Sequence, residues 1–122
     1  MTEQAAQAKR LFDGEKWKDA LIALQRVATG ETGDDDGNKQ LAEYHAAIVL
    51  FRMKREADSY QAFATIAKKS NHLKHTATLL WLSTIAEVHP ELVVIADLGT
   101  YTRDAVMRFN NANQHVVFQS SA

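Results

Sequence analysis

The sequence predicts an all-α fold built from antiparallel helical hairpins, about three pairs within 122 residues. Three observations carry this expectation. Apolar residues recur at intervals of three and four in successive windows, the spacing that lines one face of a helix. A single proline, five glycines and plentiful alanine, leucine and glutamine make a helix-forming composition. The side-chain pattern of the first two windows returns when the sequence is shifted by 39 residues, as happens when one structural unit is copied along a chain.

Taken in order, Ala5, Ala8, Leu11 and Phe12 form the first stripe, punctuated by the acidic turn at 13–15. Trp17, Ala20, Leu21, Leu24, Val27 and Ala28 form the second, ended by Gly30 and Gly33. Leu41, Tyr44, Ala47, Ile48 and Phe51 form the third, with the charged stretch 52–56 as the next turn. Tyr60, Phe63, Ile66 and Ala67 form the fourth, after which Ser70 or Asn71 offers a helix N-cap. Leu73, Ala77, Leu80, Trp81, Ile85 and Val88 form the fifth, and Pro90 stands where a following helix would begin. Residues 91–101 carry a β-branched run that also suits a strand, but a lone strand would lack a partner, so a helix is expected. Residues 102–111 read as one more short helix capped by Thr102. The tail at 112–122 has apolar residues with nothing local to bury them, which suggests a piece of a longer repeat protein or a tail that packs on another molecule. The expected hairpins are thus about 1–30, 38–70 and 71–100, followed by 101–122.

The 39-residue shift puts Ala8 on Ala47, Leu11-Phe12 on Leu50-Phe51, Ala20 on Ser59, Leu24 on Phe63, Val27 on Ile66 and Ala28 on Ala67. A shift of 69 from the first copy puts Ala8 on Ala77 and Leu11-Phe12 on Leu80-Trp81. Small residues in both helices of a pair let the two backbones approach closely. In these positions, together with the turn from Gly14 to Trp17, the chain resembles the tetratricopeptide repeat (TPR) family over residues 1 to about 100. The family's early tryptophan is replaced by Gln4 and Glu43, and its closing proline is absent from both copies. The resemblance implies a TPR-like α-solenoid, a right-handed stack of hairpins. In such a stack the first helix of each pair lines a concave groove.

Composition narrows the function classes. Fourteen basic against 15 acidic residues nearly cancel, which argues against a generic electrostatic grip on nucleic acid. The absence of cysteine excludes disulfides, thiolate catalysis and cysteine-based zinc sites. No apolar run approaches the ~20 residues needed to cross a bilayer, so no membrane insertion is expected. The first ten residues lack the apolar stretch of a signal peptide. That pattern fits a cytoplasmic protein, or a periplasmic one whose leader has been removed.

Residues 31–43 most resemble a chemical site. Against the EF-hand calcium pattern, Asp34, Asp36, Gly37 and Glu43 fall in ligand or turn slots. However, Thr32 holds the first ligand slot, where the cage needs a carboxylate, and Lys39 adds a positive charge. The loop therefore reads as a solvated connection whose last acids cap a helix starting near Asn38. His72 and His75, read as one turn apart on the fifth helix, and His45 on the third have no evident third metal ligand. No metal and no cofactor are expected.

In the repeat register His45 and His75 occupy equivalent slots, with Lys9 nearby on the first copy. The candidate groove residues are therefore Lys9, Tyr44, His45, Asn71 and His75. The family's clamp for a C-terminal carboxylate is not matched at Ala5, Lys9, His45, Asn71 and His75. Arg52, Lys54, Arg55, Lys68, Lys69 and Lys74 read as a solvated rim. Nothing resembles a phosphate loop or an activated nucleophile, so no enzymatic activity is expected. The expected role is a non-enzymatic interaction module whose partner is another protein, bound as a peptide or helix in the groove. The rival expectations are a homo-oligomer covering the open C-terminal end with residues 116–118, and a calcium- or metal-responsive domain.

Overall fold

A computed structural model describes residues 1–95. Among them are six helices and no strand: α1 (Glu3–Asp13), α2 (Trp17–Ala28), α3 (Asp36–Arg52), α4 (Glu56–Ala67), α5 (His75–Val88) and α6 (Glu91–Ile95). The helix expected at 102–111 and the tail at 112–122 lie outside the described residues. No described helix is long and apolar enough to cross a membrane. The described residues fall into two compact units, divided between Ser59 and Tyr60.

In the first unit, α1 starts where the Thr2 hydroxyl accepts a hydrogen bond from Ala5 N at 3.1 Å. This satisfies one of the amides that a helix N-terminus leaves without a partner. Its end is a Schellman motif: Glu15 N donates to Phe12 O at 3.0 Å and Lys16 N to Leu11 O at 2.9 Å. The left-handed residue this motif needs is Glu15, with φ 58°, rather than Gly14 before it. The chain thereby reverses in a few residues, and α2 packs back along α1. A second Schellman motif ends α2, with Glu31 N donating to Arg26 O and Gly30 at φ +88°. There glycine takes a backbone conformation that a side chain would strain.

Asp35 then caps α3, its carboxylate accepting from Asn38 N at 2.8 Å. The core of this unit is the inward face of α2 (Ala20, Leu21, Leu24, Val27) against α3 (Ala42, Ala46–Leu50), with Ala5 and Ala8 of α1 beneath. The small residues expected where paired helices cross are all buried: Ala8 and Ala20 in the first pair, Ala47 and Ser59 in the second. Ser59 adds a buried hydrogen bond to Ala47 O at 2.7 Å, tying the start of α4 to α3.

The 39-residue period is written in the backbone as well as in the side chains. Gly14 N to Arg10 O, Glu15 N to Phe12 O and Lys16 N to Leu11 O recur as Met53 N to Val49 O, Lys54 N to Phe51 O and Arg55 N to Leu50 O. Lys54, at φ 65°, repeats the left-handed Glu15. α4 repeats both ends of α2 at the 39-residue shift, and α5 begins 39 residues after α3.

In the second unit Phe63 of α4 stacks on Trp81 of α5, ring centres 5.3 Å apart and planes 12° from parallel. Within α5 the Ser83 and Thr84 hydroxyls donate to the carbonyls four residues back, Leu79 and Leu80. Pro90 immediately precedes α6, as expected.

Four expectations for this unit are corrected. Neither Ser70 nor Asn71 caps a helix; α5 starts at His75 after Lys74. Two consecutive turns, His72 N to Lys69 O and His75 N to His72 O, carry the chain there. They leave Leu73 in the turn, 64% exposed, and not on the apolar stripe. His72 is likewise off the helix and buried, its Nδ1 accepting from Lys74 N at 3.0 Å. Finally, the third copy does not follow at a shift of 69. That register puts Ala77 and Trp81 in the first half of α5, whereas Ala47 and Phe51 lie in the last turns of α3.

Candidate functional site

α1 and α3 run in the same direction with a cleft between them. At their N-terminal ends Thr2 meets Asp34, and at the C-terminal end of α1 the Phe12 ring meets His45 at 4.8 Å. The cleft encloses about 210 Å³ and is mostly apolar. Ala5, Ala8, Leu24, Val27, Leu41 and Ala42 make its floor and walls. Lys9, Asp13, Asn38 and His45 supply its polar atoms. The spacing explains the lining: Ala5, Ala8 and Phe12 share one face of α1, and Asn38, Leu41, Ala42 and His45 share one face of α3. α2 closes the bottom with Leu24 and Val27. The alanines leave the space, since a larger side chain at Ala5 or Ala8 would fill it.

The predicted groove residues distribute unevenly. Lys9 and His45 both line the cleft, from opposite walls. Lys9 is exposed and paired with Asp13, Nζ to Oδ2 at 2.7 Å, so its charge is offset within its own helix. His45 lies against Phe12, which in turn meets Trp17 edge-on at 5.7 Å. Tyr44 stands beside the cleft on α3, half-buried, its ring 5.6 Å from that of His45. Asn71 and His75 belong to the second unit. Asn71 is exposed in the turn before α5, and His75 opens that helix. His45 sits in the middle of α3, so the two histidines do not occupy equivalent slots. Sequence reasoning missed Ala5, Asn38, Leu41 and Ala42 as lining residues. Ala5, Leu41 and Ala42 carried a signal as small and apolar residues on the first helix of each pair, but that pattern also describes core; Asn38 carried none.

The acidic loop is a connection. Asp34 accepts from Thr2 N at 2.9 Å, from the Thr2 hydroxyl at 2.6 Å and from the Thr32 hydroxyl at 2.5 Å. These bonds, that of the Thr2 hydroxyl first, hold its carboxyl below the ordinary carboxylate value. Asp35 caps α3, and Asp36 accepts from Gln40. Thr32, the misfit in the calcium pattern, is a donor to Asp34. Among the described residues no group of three or more histidines, aspartates or glutamates is arranged to hold a metal ion.

The serines weighed as nucleophiles are not activated. Ser59 and Ser83 donate to backbone carbonyls, and Ser70 is exposed in a turn. In the basic cluster, Arg55 is paired with Asp58 at 2.9 Å.

No protein-family model matches the chain, and neither a curated protein nor a solved structure matches it.

Proposed function

We propose that this protein is a non-enzymatic interaction module of TPR type, and that the cleft between α1 and α3 receives a side chain of a partner peptide or helix. One observation carries the reading: the first helices of two consecutive hairpins run parallel and enclose an apolar cleft of about 210 Å³ with polar atoms around it. That space suits one large side chain and falls short of the ~300–1,000 Å³ typical of small-molecule sites. An apolar anchor in a pocket ringed by polar groups is the usual source of affinity in protein recognition. Lys9, Asp13 and Asn38 would meet the backbone of the bound segment, and His45 would limit the depth of the cleft. In this reading the 39-residue recurrence of turns is that of a right-handed stack of hairpins, and Tyr44 borders the binding surface beside His45.

The test is a selection of binding peptides from a displayed random library, followed by affinity measurement on wild type and Leu41→Lys. The substitution puts a charge in the apolar wall. A loss of tenfold or more, about 1.4 kcal/mol, supports the cleft. Equal affinity moves the interface elsewhere.

A second reading, self-association, draws on Leu73 and Val88, exposed by 64% and 68% in the second unit. Mass measured across a range of concentrations decides it: a constant monomer mass removes this reading.

A further inference from the structure

We propose that α1 is a hinged wall of the cleft and that Asp34 is the latch at its N-terminal end. The motion itself concerns the unliganded protein; its consequence for what the cleft admits rests on the function proposed above. Three features of the first unit combine. The first is that α1 is weakly anchored by packing. Its only fully buried side chains are Ala5 and Ala8, whereas α2 buries Ala20, Leu21, Leu24 and Val27. At 11 residues it is also shorter than helices that persist alone in water.

The second feature is how α1 is held at its two ends. The C-terminal end is fixed covalently by the tight turn at Gly14–Lys16 and by Phe12 against Trp17 and His45. The N-terminal end is held across the chain by one residue. Asp34 takes the Thr2 amide on Oδ1, and the Thr2 and Thr32 hydroxyls on Oδ2. Hydrogen bonds to a carboxylate are among the stronger ones. The same Thr2 hydroxyl caps α1 by accepting from Ala5 N. Thr2 thus joins the helix cap to the latch in one side chain.

The third feature is the cleft itself. Lys9, Phe12 and Asp13 of α1 border the cleft without filling it, so less packing opposes outward movement of α1 than would oppose a fully packed helix. Next to the latch, Asp35 caps α3. The Asp34–Asp35 pair therefore positions the N-terminal ends of both cleft walls. Releasing Asp34 lets α1 pivot about the turn at 14–16 and widens the cleft from the Met1–Asn38 end. A latch of this kind sets which side chains the cleft admits.

Hydrogen exchange on the full chain tests it. Asp34→Asn keeps the shape but replaces one acceptor oxygen by an NH2 donor, so it cannot accept all three latch bonds on two oxygens. The expected result is exchange in α1 about tenfold faster than in wild type, with α2 and α3 unchanged, as befits local opening. Thr32→Val removes a single latch bond and leaves the α1 cap intact; it should show a smaller acceleration confined to the same helix. Wild-type exchange in α1 in both variants would overturn the latch. Equal acceleration across α1, α2 and α3 would overturn it too, because Asp34 would then support the unit as a whole.

Discussion

Glu15 and Lys54 occupy positions that glycine usually takes. Both adopt positive φ, 58° and 65°, to complete the turns after α1 and α3. A side chain in the left-handed region costs roughly 1–2 kcal/mol, of which glycine's greater freedom in the unfolded chain returns part. Glu15→Gly and Lys54→Gly should each stabilise the protein by about 1 kcal/mol, read as a higher midpoint in urea. A loss of stability would mean that the side chains make contacts outweighing the strain. Sequence reading found the first turn through the residues around Gly14, but the wrong residue would be picked as left-handed. At Lys54 nothing in the sequence signals the conformation at all.

Asp34 gives a pH dependence of known sign. Its carboxyl titrates below the unfolded value of about 3.9 because the folded state donates hydrogen bonds to the ionised form. Its stabilisation is fully present above the unfolded value and is lost as pH falls through the folded one. Wild type should therefore show a higher Tm than Asp34→Asn at neutral pH, and the two should converge in strong acid. A difference that persists at low pH would show that the carboxylate charge is not the cause. Asp34 was legible as an acid in a polar loop, but not its ties to Thr2, a contact 32 residues away in sequence.

At the scale of elements, the helical crossings depend on small residues. Ala20 is fully buried where α2 packs on α1, so Ala20→Leu should destabilise by about 1–3 kcal/mol through overpacking. Ser59→Ala removes a buried hydrogen bond to Ala47 O and should cost about 1 kcal/mol. Both are read from denaturant midpoints. The loop between α2 and α3 makes a different prediction. Its acids are engaged with Thr2, Thr32, Asn38 and Gln40. Millimolar calcium should therefore leave Tm unchanged, whereas a rise would reveal a bound ion.

Four of the helices were legible from their spacing, because alternating apolar and polar faces survive in the packed unit. The start of α5 was not. Ser70 and Asn71 look like caps, but burial of His72 in the preceding turn delays the helix, and that burial competes unseen with cap preference.

At the scale of the whole molecule, the account rests on the copying of one hairpin. The recurrence was visible in residues such as Ala8 and Ala47, and the hydrogen bonds at both turns repeat it. A cleft is harder to read than a core, since both are lined by alanine, leucine and valine. Only the parallel approach of α1 and α3 tells them apart. That explains why Lys9 and His45 were found from repeat register while Ala5, Leu41 and Ala42 were not. The most direct measurement is an NMR titration of the isotopically labelled full chain with the strongest peptide from the library selection. The account predicts shifts centred on Ala5, Ala8, Phe12, Leu41, Ala42 and His45. Shifts centred instead on the outer face of α2 around Ile22, with the cleft resonances unmoved, would contradict it.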